Sequence, residues 1–340
     1  MKILQFILGF VFSTIITIVF FEFFFRFSEV FLPSCVDGKG NFKSNAKISL
    51  QTESYNMVQV NKYGYLGTAY PPLKKDSLLR IALVGDSFVE GLQVREEFHF
   101  RSIMESELKQ NFQNENIQIL NFGKSGFNFA SMFVYSKLFI QQFNPDIIVY
   151  FIQEGDFFYK LKDIEKFNKL NEQNFTVPVL ESNKDKIVEY MRNFAYWNFL
   201  KSVVSSINSV RFNHAVFDKF AFLFENSGTN SSSVKKTLYD VDRNTTNKII
   251  NELKKNSQTI IIPIRKINNH EISDLINKFD VIELDNVYCS FTKQKINPFY
   301  WEATKIDGHW NQSAHLEIGK YIASHKAITE KVKFILRNKR

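Results

Sequence analysis
The sequence predicts an α/β protein, a three-layer sandwich on a parallel five-stranded sheet, preceded by one transmembrane helix. Three observations carry this. Residues 3–21 contain no charge. Short, nearly continuous apolar runs recur further along the chain. Segments with helical spacing lie between several of those runs. Strands apolar on both sides need cover on both faces, and alternation of strand and helix makes such strands parallel.

The uncharged run comes first, within an anchor over 1–30. A helix rises about 1.5 Å per residue, so it nearly crosses the roughly 30 Å hydrocarbon core. Phe23, Phe24 and Phe25 extend it past Glu22, and no small-residue cleavage site follows. Leu32-Pro33-Ser34-Cys35 resembles a lipoprotein cleavage box, but Arg26 and Glu29 precede it. An uncleaved anchor is the preferred reading; a buried core helix is the alternative. Lys2 stands before the span and Arg26, Lys39 and Lys43 after it, so charge sets orientation only weakly.

Residues 31–59 are polar and mixed, and read as a connector. The strand-like runs are 80–84, 117–121, 146–153, 259–264 and 280–284. Phe100, Met104, Leu108 and Phe112 recur at helical spacing, residues 130–142 form a second helical segment, and 313–324 a closing helix. The stretch 157–256 breaks the alternation and reads as a mostly helical insertion. Within it, Tyr190, Phe194, Tyr196, Trp197 and Phe199 cluster, with core packing the first reading and a lid or sugar-stacking surface the second. One domain over 60–326 results, followed by a basic tail at 327–340 with apolar residues on one helical face.

Lys and Arg total 43 against 35 Asp and Glu, a net charge of +8. The surplus is scattered as single lysines, which favours a solvated basic surface over a nucleic-acid stripe. Cys35 and Cys289 read as isolated thiols and leave no ligand set for a cysteine-type metal site. The histidines His99, His214, His270, His315 and His325 show no metal-like spacing.

In open parallel sheets, ligands sit at the carboxyl ends of the strands. Gly85-Asp86-Ser87 follows the first run, 121–126 the second, and Glu154-Gly155-Asp156 the third. Asp307-Gly308-His309-Trp310-Asn311 follows the fifth after a loop. Together they bring a hydroxyl, an imidazole, a carboxylate and glycine amides to one edge, the parts for acyl transfer. Ser87 needs a base, His309 supplies one near neutral pH, and Asp307 is placed to hold the imidazole. The Ser87 and Gly126 amides are the expected oxyanion donors. A helix N-cap is the plainer role for Ser87, and capping of the last helix for Asp307.

These blocks resemble those of the SGNH/GDSL hydrolase superfamily. Gly85-Asp86-Ser87 is similar to its first block, Asn121-x-x-x-x-Gly126 to its second and Asp307-x-His309-Trp310 to its last. His309 stands two positions after Asp307 here, where in many members the step is three. That form looks more like the membrane-anchored alginate O-acetyltransferase-type branch, and Asn61-Lys62-Tyr63-Gly64-Tyr65-Leu66-Gly67 resembles a segment upstream of its first block. The resemblance implies the SGNH fold with a flavodoxin-like sheet. It implies a serine esterase or O-acyltransferase outside the plasma membrane, working without metal or cofactor on an acylated glycan or lipid. One departure stands out. The third block normally carries an asparagine whose amide serves the oxyanion, and Gly155 takes that place. Gln153, Asn128 or the Gly155 backbone are the candidate substitutes. A catalytically weak protein of the same fold, serving in polysaccharide binding or assembly, is the alternative.

Overall fold
The computed structural model describes residues 2–29, 32, 35–36, 41–50, 53–159, 161–170, 190–191, 193–208, 243–255 and 258–339. The chain forms two units: Met1–Asn41 with Pro178–Leu238, and Phe42–Val177 with Tyr239–Arg340. In the first, helix α1 (Lys2–Ser28) is long and apolar enough to cross a membrane.

The second unit opens on a hairpin, β1 (Lys47–Leu50) against β2 (Asn56–Gln59), with Lys47 opposite Gln59. The stretch expected as a plain connector is therefore partly folded into this unit. Strands of only four residues are too short to leave a clear periodic signal.

Five parallel strands follow: β3 (Leu79–Gly85), β4 (Ile117–Gly123), β5 (Ile147–Ile152), β6 (Thr259–Pro263) and β7 (Asp280–Val281). Their order is β4-β3-β5-β6-β7, the doubly wound arrangement with its switch point between β3 and β5. The register of β3 on β4 runs from Leu79 opposite Ile117 to Gly85 opposite Gly123. The fifth apolar run pairs only over Asp280–Val281, shorter than its sequence.

Every residue of β3 is buried, and its pleat serves two cores. Leu79, Ile81 and Leu83 face a cluster that includes Phe100, Met104, Trp310 and Ile318. These come from α3 (Phe100–Phe112), from the closing helix (Gln312–Ser324) and from the segment leading into it. Ala82 and Val84 face a cluster with Phe129, Phe133, Ile249 and Ile272. These come from helices Phe129–Leu138, Arg243–Lys254 and His270–Ile276. The three-layer α/β sandwich expected from the apolar runs is thus present.

The tail is a packed helix, Lys326–Asn338. Ile328 and Val332 are fully buried on the first cluster. Lys339 Nζ reaches Asp146 at 3.0 Å and the Leu78 carbonyl at 2.8 Å. Of the expected helical insertion, Leu161–Lys169, Ala195–Asn208 and Arg243–Lys254 are described helices; residues 171–189, 192 and 209–242 lie outside the described residues. His214 is among the latter.

Candidate active site
Ser87 opens the one-turn helix α2 (Ser87–Glu90) directly after β3. Its N-cap is Asp86: the Asp86 Oδ1 accepts the Phe88 N–H at 2.9 Å. The cap role is therefore taken, and the Ser87 hydroxyl points elsewhere. Asp86 Oδ2 accepts Gln153 Nε2 at 2.5 Å, which ties the first block to the third. Burial pushes the Asp86 carboxyl up from its ordinary range against these bonds.

The Ser87 Oγ lies 2.7 Å from His309 Nε2. On the far side of the ring, His309 Nδ1 lies 2.7 Å from an oxygen of Glu53, and the His309 backbone N–H donates to the other Glu53 oxygen at 2.8 Å. A carboxylate only accepts, so the proton belongs on Nδ1, and Nε2 is left to accept from the serine hydroxyl. The Phe88 ring packs on the imidazole at 4.7 Å between centroids. Trp301 Nε1 donates to the His309 carbonyl at 3.1 Å.

Glu53 sits between β1 and β2, and the hairpin is held in place from two sides. Ser54 Oγ donates to the Gln93 carbonyl at 2.6 Å, and Asn56 Nδ2 to the Leu92 and Val94 carbonyls at 2.8 Å each. Thr304 Oγ1 donates to the Glu53 carbonyl at 2.6 Å. Burial raises the Glu53 carboxyl, but the hydrogen bonds from the His309 ring and backbone outweigh it and leave the group below its ordinary value. It is ionised at neutral pH. Gly308 makes room for it, since a Cβ there would lie 2.3 Å from Glu53 Cδ.

Asp307, expected to hold the imidazole, does not reach it. It ends an exposed two-residue strand (Ile306–Asp307) paired with Tyr300–Trp301, and its carboxylate accepts Asn297 Nδ2 at 2.7 Å. The Nδ1 side of the ring is already filled by Glu53. Nor does Asp307 cap the closing helix; Asn311 does, accepting the Ala314 N–H at 3.0 Å. No sequence spacing marks Glu53, 256 residues from its partner. The one hint was the unusual Asp-to-His spacing.

Gly126 has φ +78° and nothing within 4 Å of where a Cβ would stand. It is the third residue of a turn closed by Phe127 N–H to the Lys124 carbonyl at 3.1 Å, where positive φ is what a type II turn requires. Glu90, also unmarked in the sequence, braces this turn by accepting both the Ser125 N–H, at 3.2 Å, and the Ser125 hydroxyl. Burial pushes the Glu90 carboxyl up to about 7 against those bonds.

The substitute donors are placed as follows. Gln153 Nε2 is held on Asp86. Asn128 Oδ1 caps its helix, accepting the Ser131 N–H at 2.9 Å. Gly155 lies in the turn Glu154–Phe157 and faces open space. Around the serine and histidine, Phe299 lies 6.4 Å from Phe88, and the exposed Arg265 guanidinium lies 4.7 Å over Phe299. Of the other histidines, His99 and His315 are buried with ring centroids 4.9 Å apart, and His325 caps the last helix through Nδ1. Among the described residues no group of His, Cys, Asp and Glu could hold a metal ion.

No family model matches the chain, and no curated protein does. Several solved structures resemble it. One is a two-domain esterase active on acetylated mannans, 11% identical, with a TM-score of 0.39 over 76% of this chain. This chain spans half the length of that protein. Another is the lipase/acylhydrolase from Enterococcus faecalis, 11% identical, with a TM-score of 0.38 over 75% of this chain and 97% of that one. A third is a catalytic mutant of an acetylxylan esterase from Geobacillus stearothermophilus, 9% identical, with a TM-score of 0.38 over 75% of this chain and 98% of that one. The sheet of this chain is doubly wound, and Ser87 and His309, from the first and last of the sequence blocks, meet beside the carboxyl end of β3.

Proposed function
We propose that the chain is a membrane-anchored serine esterase or O-acyltransferase acting on acyl esters of a cell-envelope glycan or lipid. The single observation behind this reading is the unbroken run of hydrogen bonds from the Ser87 hydroxyl through His309 to Glu53. Ser87 Oγ attacks the ester carbonyl while His309 Nε2 takes its proton. Glu53 holds the ring in the required tautomer and stabilises the imidazolium that forms. The Ser87 and Gly126 amides face the developing oxyanion. His309 then returns the proton to the leaving alcohol. Water as the second acceptor gives hydrolysis, and a sugar hydroxyl gives transfer.

Gly155 supports a second reading, a weakly active or inert relative serving in polysaccharide binding or assembly. Loss of one oxyanion donor typically costs about a hundred- to a thousandfold in turnover. Fluorophosphonate labelling of the full chain in membranes separates the two. Labelling that Ser87→Ala abolishes supports the enzyme. A folded, unlabelled parent chain refutes it.

Helix α1 is read as a single-pass anchor with the larger unit outside the plasma membrane. A reporter fused after Arg340 that is active only in the cytoplasm would overturn that placement.

A further inference from the structure
An amphipathic helix stands beside α1. The helix Ala195–Asn208 divides cleanly at 100° per residue. Tyr196, Trp197, Phe199, Leu200 and Val203 fall on one arc, and positions 198, 201, 202 and 205, all polar in sequence, on the other.

The start of this helix is pinned to α1. Glu22 accepts the backbone N–H groups of Ala195 at 3.1 Å and Tyr196 at 2.8 Å, donors that a first helical turn leaves unpaired. Arg26 bonds Glu22 at 2.6 Å and the Asn193 carbonyl at 2.7 Å. Phe25 stacks on Phe199 at 4.7 Å and Phe21 on Tyr196 at 6.2 Å.

The depth of this joint follows from the sequence. Glu22 is the first charge after the uncharged run 3–21. It therefore marks the level at which a spanning helix leaves the hydrocarbon. A helix starting there at once meets the interfacial layer, where Trp and Tyr concentrate. Its apolar arc is only partly covered by α1, for Leu200 and Val203 are 36% and 38% exposed, and Tyr190 just before it 64%. Water is a poor cover for that arc; the boundary between headgroups and acyl chains is a good one.

We propose that the helix Ala195–Asn208 lies in the membrane–water interface beside the end of α1, with its apolar arc against the acyl chains. Its partner is the lipid bilayer itself. The proposal rests on the reading of α1 as a membrane span, and its test separates the two.

The full chain is reconstituted in phosphatidylcholine vesicles whose acyl chains carry bromine near the headgroup. Trp197 shares the chain with Trp301 and Trp310 only. Tryptophan emission is expected to fall relative to unlabelled lipid, and this quenching is expected to be lost in Trp197→Phe. Leu200→Asp, which puts a charge on the arc, should weaken the quenching and shift Trp197 emission to the red. Equal quenching in the parent and in Trp197→Phe overturns the proposal. Alkaline carbonate extraction of the same vesicles reports on α1. Retention without Trp197 quenching keeps the span and refutes the interfacial helix; extraction, with or without Trp197 quenching, refutes the span and with it the placement of the helix beside its end.

Discussion

Exchange of Glu53 tests which carboxylate serves His309. In the structure Glu53 offers one oxygen to the ring Nδ1–H and the other to the backbone N–H of the same residue. A glutamine there has a single acceptor oxygen and an NH2. One of the two His309 N–H groups must then face another donor. If the amide oxygen stays on the backbone N–H, the ring flips to the tautomer that cannot accept from Ser87. In serine-hydrolase triads the same tautomer error lowers kcat by about 10⁴-fold. At about 1.36 kcal/mol per decade this is about 5 kcal/mol of transition-state stabilisation. Glu53→Gln is therefore expected to lose about 10³–10⁴-fold in kcat, with KM little changed. Asp307→Asn removes only an exposed contact with Asn297 and should stay within about twofold of the parent, since exposed pairs contribute little. The assay is hydrolysis of an acetyl ester such as 4-nitrophenyl acetate by the full chain in detergent, with circular dichroism melts to show that each variant folds. The reasoning is refuted if Asp307→Asn loses a thousandfold while Glu53→Gln keeps a tenth or more of the parent rate.

Three further outcomes are expected. Gly308→Ala puts a Cβ 2.3 Å from Glu53 Cδ, so it should swing that flexible carboxylate aside and reproduce the kinetic loss of Glu53→Gln without unfolding the protein. Glu90 titrates near 7 in the folded chain, raised by burial from 4.5. A raised carboxyl favours the folded state at low pH and loses that advantage as pH climbs from the unfolded value through the folded one, a difference on the order of 3 kcal/mol. Glu90→Gln stays neutral, so it should melt higher than the parent at pH 8 and near it at pH 5; equal melting differences at both pH values would contradict this. Ile328→Ala in the last helix deletes a fully buried side chain and should cost about 2–5 kcal/mol in urea unfolding, whereas a loose tail would lose nothing.

The strands were legible because each carries its own signal. A run such as Ile81-Ala82-Leu83-Val84 has no stable place except between two covering layers, and it meets both cores. Ser87 and His309 were legible for a related reason, since each lies in a short block beside an element that the sequence also marks. The insertion was not legible as one piece. Its helix Arg243–Lys254 covers the sheet, while Ala195–Asn208 belongs with α1. No local pattern distinguishes a helix that packs on a sheet from one that packs on a long apolar helix.

The carboxylate shows the division most sharply. Sequence alone determined the sheet, the edge at which chemistry could gather, and the serine and histidine that meet there. It also placed an aspartate two residues from that histidine, the nearest acid along the chain. Tertiary packing decided otherwise. A short hairpin from the supposed connector, tied down through Ser54, Asn56 and the Glu53 carbonyl, brings Glu53 across the glycine next to His309 and gives both N–H groups of that residue to one carboxylate. Proximity along a chain is local and can be read from letters. Which acid faces a ring is set by how two distant loops dock, and that depends on contacts no single stretch of sequence contains.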